Sequence, residues 1–119
     1  MPSQPESRLN LTEVDGYLIV NLPSVISDGV IHSHKQQITE LVEKSRYRGV
    51  ILNIAAVSLL DYSTLQKFRK ICQLNTLLGS QTVLMGANAS IAAYLASMPE
   101  GFDDLTFCQD MESARQACG

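Results

Sequence analysis

The sequence has 119 residues, 45% of them apolar and 18% charged, with a formal net charge of −3. The size suits one domain with its own hydrophobic core, and the apolar fraction excludes a chain too polar to fold. The mild acidity speaks against a nucleic-acid partner, which needs a basic face to neutralise phosphates, and no apolar run approaches the ~20 residues that span a bilayer, so no membrane partner is expected.

From the N-terminus, residues 1–7 read as a flexible tail. MPSQPESRLN is polar and lacks the apolar core of a secretion signal, so a cytosolic (cytoplasmic) protein is expected. In RLNLTEVDGYLIVNLP two short apolar runs are split by Asp15-Gly16. Asp-Gly is a hairpin signal because both residue types accept the left-handed backbone of a tight turn. The antiparallel pair is predicted over residues 9–14 and 17–22, with Pro23 stopping the second strand. From Ser27 the spacing becomes helical: Val30, Ile31, Ile38, Leu41 and Val42 share a stripe, while His34, Lys35, Gln36, Gln37, Glu40 and Glu43 lie elsewhere. Ser27 or Asp28 is the expected cap, and KSRYRG ends the helix with cations in its last turn and Gly49 just beyond.

VILNIAAV, from Val50, is an almost uninterrupted apolar run, as expected of a central strand covered on both faces. A second helix is predicted from about residue 63 to 78, with Leu65, Phe68, Ile71, Cys72, Leu74 and Leu78 inward and Gly79 closing it. Residues 81–85 read as a strand, 89–98 as a third helix stopped by Pro99, LTFC as a weak strand and DMESARQAC as a short last helix. The order β-β-α-β-α-β-α-β-α predicts an α/β domain over residues 8–117: a small, mixed, mostly parallel sheet with an N-terminal hairpin, about four helices and right-handed crossovers. The helices are expected mostly on one face.

Signatures of catalysis are scarce. Neither GxxxxGK[ST] nor GxGxxG is present, and there is no GxSxG elbow. His32 and His34, two apart on a helix, point about 200° apart and do not grip one metal. Asp103 and Asp104 beside Gly101 read as a solvated turn. Cys72, Cys108 and Cys118 form no CxxC pair and are expected as reduced thiols, Cys72 as core packing. No nucleophile–base or metal constellation assembles, so neither an enzyme nor a cofactor is expected.

One stretch stands apart. In ILNIAAVSLLDYSTLQKF the strand run stops at a lone acid, Asp61, followed by Tyr62, Ser63 and Thr64 before the next helix. One reading is capping, with Asp61 or Ser63 accepting hydrogen bonds from the helix's free N–H groups. The other is a docking and modification site, since sites in such sheets sit where strands deliver the chain into helix N-termini. That terminus tolerates anions, so a phosphate there leaves the domain folded while adding nearly two negative charges. The two readings are compatible.

GVILNIAAVSLLD, the helix opening right after Asp61, and TVLMGANASIAAYL resemble a STAS domain, the fold of bacterial anti-sigma factor antagonists. The likeness spans residues 8–117, and its most similar subgroup is the small single-domain stressosome scaffold, the RsbS type. The resemblance implies a domain without catalysis that binds a serine/threonine switch kinase or anti-sigma factor in a partner-switching or stressosome pathway. It implies that affinity changes when the kinase phosphorylates a serine or threonine immediately after the family's aspartate. Here that residue is Tyr62, whose phenol carries its oxygen far from the backbone. Three outcomes stay open: Ser63 or Thr64 is modified, the domain binds without being switched, or regulation passes to a partner.

Ser90, in GANASIAAYL, is a further candidate for phosphorylation, against the plainer reading of an N-cap or solvated first-turn serine. The expected partner-binding surface is Asp61, Tyr62, Ser63 and Thr64, with Gly86 and Asn88 in the neighbouring loop. Two rival readings accompany it. One is a scaffold subunit that assembles with other STAS domains or as a homo-oligomer, with Val30 and Ile31 as a contact. The other is a small-ligand or nucleotide binder, against which the missing Gly-rich loop counts.

Overall fold

The computed structural model describes residues 10–26, 28–58, 60–97 and 105–118. The hairpin forms as the Asp-Gly signal requires: β1 (Asn10–Val14) and β2 (Tyr17–Asn21) pair antiparallel with Val14 opposite Tyr17. Both turn residues have positive φ, 52° at Asp15 and 85° at Gly16, the backbone that matches the right-handed twist of the strands. The chain then alternates through α1 (Asp28–Lys44), β3 (Gly49–Asn53), α2 (Tyr62–Leu77), β4 (Thr82–Met85), α3 (Ala89–Ala96), β5 (Phe107–Cys108) and α4 (Met111–Cys118). The sheet order is β1-β2-β3-β4-β5, and every pair after the hairpin is parallel.

Period-two alternation divides the strand residues between two cores. Leu18, Val20, Val50, Leu52 and Leu84 face the larger one, where Ile38 and Val42 of α1, Leu65, Phe68 and Ile71 of α2, and Ile91 of α3 pack onto them. Tyr17, Ile51 and Val83 face the other side and meet Ala114, with Met111, Ala117 and Cys118 beside it. Val50, Ile51 and Leu52 are all fully buried, so β3 is covered on both faces as its apolar run predicts. The expectation that the helices gather mostly on one face holds for α1, α2 and α3. The fourth takes the opposite face, because a strand apolar on both sides leaves a second surface to cover.

Element ends shift by a residue or a few. The second strand stops at Asn21; Leu22 lies beyond it, buried, donating its N–H to the Asn53 carbonyl at 3.1 Å. The second helix starts at Tyr62 rather than Ser63 and ends at Leu77, with Leu78 as its C-cap. The weak strand LTFC narrows to Phe107–Cys108. Ser27, Met98, Pro99, Asp103 and Asp104 lie outside the described residues, as do Leu9 and the side chains of Asp28, Val30 and His34. Ile31 is half-buried and packs against the larger core, and Cys72 is buried in it, as its stripe predicts. Among the described residues no helix is long and apolar enough to cross a membrane.

Candidate functional site

The parallel strands β2, β3 and β4 all finish at one end of the sheet, and their exits lie side by side. Asn53, the last residue of β3, donates from Nδ2 to Asn21 Oδ1 of β2 at 2.8 Å, and its Oδ1 accepts the Ala55 N–H at 3.1 Å. These two asparagines tie the ends of neighbouring strands together. Sequence reasoning missed them; the available signal was an Asn closing two apolar runs. Beyond Asn53, Ile54, Val57 and Leu60 are buried, and Ser58 donates its N–H to the Ser24 carbonyl at 3.0 Å. The connection into α2 is therefore pinned from below by apolar side chains and from the side by the segment after β2. Val25, in that segment, is 71% exposed.

Asp61 is the N-cap of α2. Its backbone is extended, with φ −97° and ψ 175°, and its Oδ1 accepts the Thr64 N–H at 2.8 Å. Of the two cap candidates in the sequence, Asp61 takes the role and Ser63 does not. The hydrogen bonds from Thr64, the backbone N–H foremost, hold the Asp61 carboxyl below its ordinary 3.8, with a smaller contribution from the charge of Lys67. Asp61, Tyr62 and Ser63 are exposed and Thr64 is half-buried. Tyr62 is 46% exposed, and its hydroxyl accepts from Gln66 Nε2 one turn along at 2.6 Å. The phenol thus reaches along the helix toward Gln66, and Ser63 is the small hydroxyl left exposed in the first turn.

The same device repeats at α3. Asn88 is the N-cap, with Oδ1 accepting the Ile91 N–H at 2.8 Å. Ser90 is not the cap: it is an exposed residue of the first turn, the second of the two plain readings. Ser63 and Ser90 consequently occupy equivalent places, each two residues after a capping Asp or Asn. Gly86, two residues before Asn88, has φ +93°, and a Cβ built there would stand 3.0 Å from the Ala55 Cβ. The loops after β3 and β4 approach each other here, at Ala55, six residues before Asp61; this end of the sheet is the rim of the candidate site. Asp110 closes the pattern at α4, accepting the Ser113 N–H at 2.9 Å, a third cap of this type that sequence reasoning passed over.

Among the described residues no three His, Cys, Asp or Glu side chains come together as a metal-holding group. His32 is exposed. What the rim offers is contact chemistry: hydroxyls, a carboxylate, an aromatic ring and the exposed Val25, on backbone fixed by caps.

A family model for the STAS domain matches residues 8–114. Among solved structures, a serine-to-glutamate variant of RsbS from Moorella thermoacetica superposes with a TM-score of 0.75 at 20% identity, over 93% of this chain and 94% of that one. A component of the stressosome, described as a signal integration and transduction hub, gives 0.73 at 19% over 92% and 95%. The phosphorylated form of the Bacillus cell fate determinant SpoIIAA gives 0.67 at 12% over 94% and 100%. Comparison with curated proteins returns no match. These identities carry the fold, and with a family model spanning nearly every element from the hairpin to α4, the chain belongs to the STAS domain family.

Proposed function

We propose that this protein is a non-catalytic, cytoplasmic interaction module of the anti-sigma factor antagonist kind, acting in a partner-switching or stressosome pathway. Its partner is a serine/threonine switch kinase or an anti-sigma factor, docked on the rim formed by Asp61, Tyr62, Ser63 and Thr64 with Gly86 and Asn88 alongside. One observation carries the reading: Asp61 holds the start of α2 from an exposed position while Tyr62 and Ser63 stand outward, so the entry is rigid and open to a visitor. The likeness to a stressosome protein and to SpoIIAA in its phosphorylated form supports the same direction.

Ser63 is the favoured phosphate acceptor, followed by Thr64 and then Ser90. A phosphate on Ser63 would sit within the first turn of α2, where unpaired N–H groups favour an anion. Intact mass with site mapping, after incubation with ATP and a switch kinase, tests this: one added phosphate on Ser63 supports the switch, and none supports a binder that is not switched. Docking is tested separately by titrating the kinase with Asp61→Ala after circular dichroism has shown the fold retained. Lost binding is expected, and unchanged affinity refutes the role given to Asp61.

A scaffold role, in which the chain assembles with copies of itself or other STAS domains, is favoured by α3. Residues 92–94 and 96 are exposed, Tyr94 at 37%, and no charged residue occurs from Gly86 to Ser97. Light scattering decides: a monomer at every concentration removes self-assembly.

A further inference from the structure

Two depressions meet on α2. One lies at its start, lined by Tyr62, Ser63, Gln66, Lys67 and Lys70. The other runs between α1 and α2, lined by Ile31, Lys35, Lys67, Lys70, Ile71 and Leu74. Lys67 and Lys70 line both, so the rim at Asp61 continues directly into the interhelical groove. Among the described residues none that lines the groove is acidic. The helix behind it carries Lys67, Arg69 and Lys70 within four residues and no Asp or Glu from Tyr62 to Leu77, in a chain whose net charge is −3. With three of the chain's nine cations and no acid, that helix presents a field opposite in sign to the chain's net charge. The floor is apolar: Ile31 and Leu74 are half-buried and Ile71 is 3% exposed, while Lys35 and Lys70 are exposed above it.

An apolar floor inside a lysine rim is the complement of an amphipathic helix whose apolar anchors are flanked by carboxylates. A nucleic acid would meet the lysines and leave the floor unused. We propose that the groove between α1 and α2 docks an acidic amphipathic segment of a partner protein. Its apolar side chains rest on Ile31, Ile71 and Leu74, and its carboxylates face Lys35, Lys67 and Lys70. The inference rests on the reading of the adjoining rim as a partner surface and adds the partner's chemistry, an acidic helix beside whatever meets Asp61.

The test uses the full chain and a fluorescein-labelled synthetic helix with leucines spaced for one face and glutamates elsewhere, beside a twin carrying lysines in place of the glutamates. Fluorescence anisotropy should show binding of the acidic peptide, weakened by added salt, and none of its basic twin. Amide shifts should gather on residues 31–38 and 67–74. Lys35→Glu combined with Lys70→Glu, both exposed positions, should weaken binding at least roughly tenfold with the thermal midpoint unchanged, as expected for two reversed rim charges. Tyr62→Ala with Ser63→Ala should leave the peptide's affinity within about twofold, since these residues line only the neighbouring depression. Failure of the rim reading alone would show as a kinase titration insensitive to that second pair while the peptide result stands. Equal binding of both peptides, undiminished binding by the Lys35→Glu/Lys70→Glu chain, or shifts centred elsewhere overturns the proposal. Tighter, Lys70-dependent binding of a single-stranded oligonucleotide or of phosphatidylserine vesicles overturns it too, assigning the groove to a nucleic acid or a membrane.

Discussion

The two ends of the sheet draw on similar polar residues and use them differently. Where β3 and β4 finish, the caps are local: Asp61 reaches Thr64 and Asn88 reaches Ile91, each three residues on, at or near the surface. At the other end the contacts join distant parts of the chain. Tyr17 is 5% exposed, and the guanidinium groups of Arg48 and Arg115 stand over its ring, 5.9 and 5.7 Å from its centre. Arg115 also bonds Asp15 at 2.6 Å, fastening α4 to the hairpin turn. Next in the chain to Arg48, Tyr47 donates its hydroxyl to Glu13 at 2.8 Å, while buried Asn75 donates to Thr82 at 3.0 Å across the turn from α2 into β4. A local cap sets the backbone of one helix turn without committing the rest of the fold. Long-range contacts commit the whole topology. Apart from the Asn21–Asn53 tie between strand ends, the exit end thus orders its helix starts locally, while the opposite end fastens distant segments to one another.

The largest effect should therefore come from Tyr17→Ala. Truncating a buried aromatic costs about 3–5 kcal/mol, and here both flanking guanidiniums lose their ring as well, an attraction of about 0.5–2 kcal/mol each. Urea unfolding should show the loss, while binding of the proposed partner, per folded molecule, stays unchanged. A cost near that of a surface substitution would break the contrast between the ends.

Gly86→Ala and Gly79→Ala form the next pair. Both glycines have positive φ, +93° and +96°, but a Cβ at Gly79 meets nothing within 4 Å, whereas at Gly86 it meets Ala55 at 3.0 Å. Gly79→Ala should cost about 1 kcal/mol through left-handed strain alone. Gly86→Ala should cost more, about 2 kcal/mol, because the loops after β3 and β4 must also move apart. Equal losses, measured by thermal unfolding, would mean that the close approach of these loops contributes nothing and that the rim tolerates rearrangement.

How much of this was legible beforehand depended on how local the cause was. Asp15-Gly16 could be read because two positive φ angles are a demand on two adjacent residues. The both-sided burial of β3 could be read because an apolar run without alternation has few other uses. The sequence pattern puts the entry to α2 one residue late because Asp61 and Ser63 are both good caps, and only the extended backbone at Asp61 separates them. The same ambiguity hid Asn88 behind Ser90. The side of the sheet taken by α4 was illegible, since the spacing of Met111, Ala114 and Ala117 defines a stripe without saying which face it meets. Asn21 with Asn53, and Tyr17 with Arg48 and Arg115, became partners only once strand register and crossover brought them together.

The smallest effect is also the most specific to the rim. Asp61's carboxyl sits below its ordinary 3.8 because its ionised form accepts the Thr64 hydrogen bonds and lies near Lys67. A group whose pKa is depressed by folding stabilises the fold above its unfolded value and loses that contribution as pH falls through the lower folded value. The cap's charge-dependent share is thus complete at neutral pH, begins to fade near 3.8 and is gone below the folded value. Asp61→Asn keeps an acceptor oxygen for the Thr64 N–H and removes the charge. The thermal midpoint of the parent chain should exceed that of Asp61→Asn slightly at neutral pH, and the two should converge on acidification below 3.8. Asp110 supplies an internal comparison, because its carboxyl is depressed by the Ser113 hydrogen bond with no lysine contribution. Added salt should shrink the Asp61→Asn gap more than the Asp110→Asn gap, since only the first includes attraction to a nearby cation. Equal salt responses would remove Lys67 from the account of the rim and leave the cap as hydrogen bonding alone.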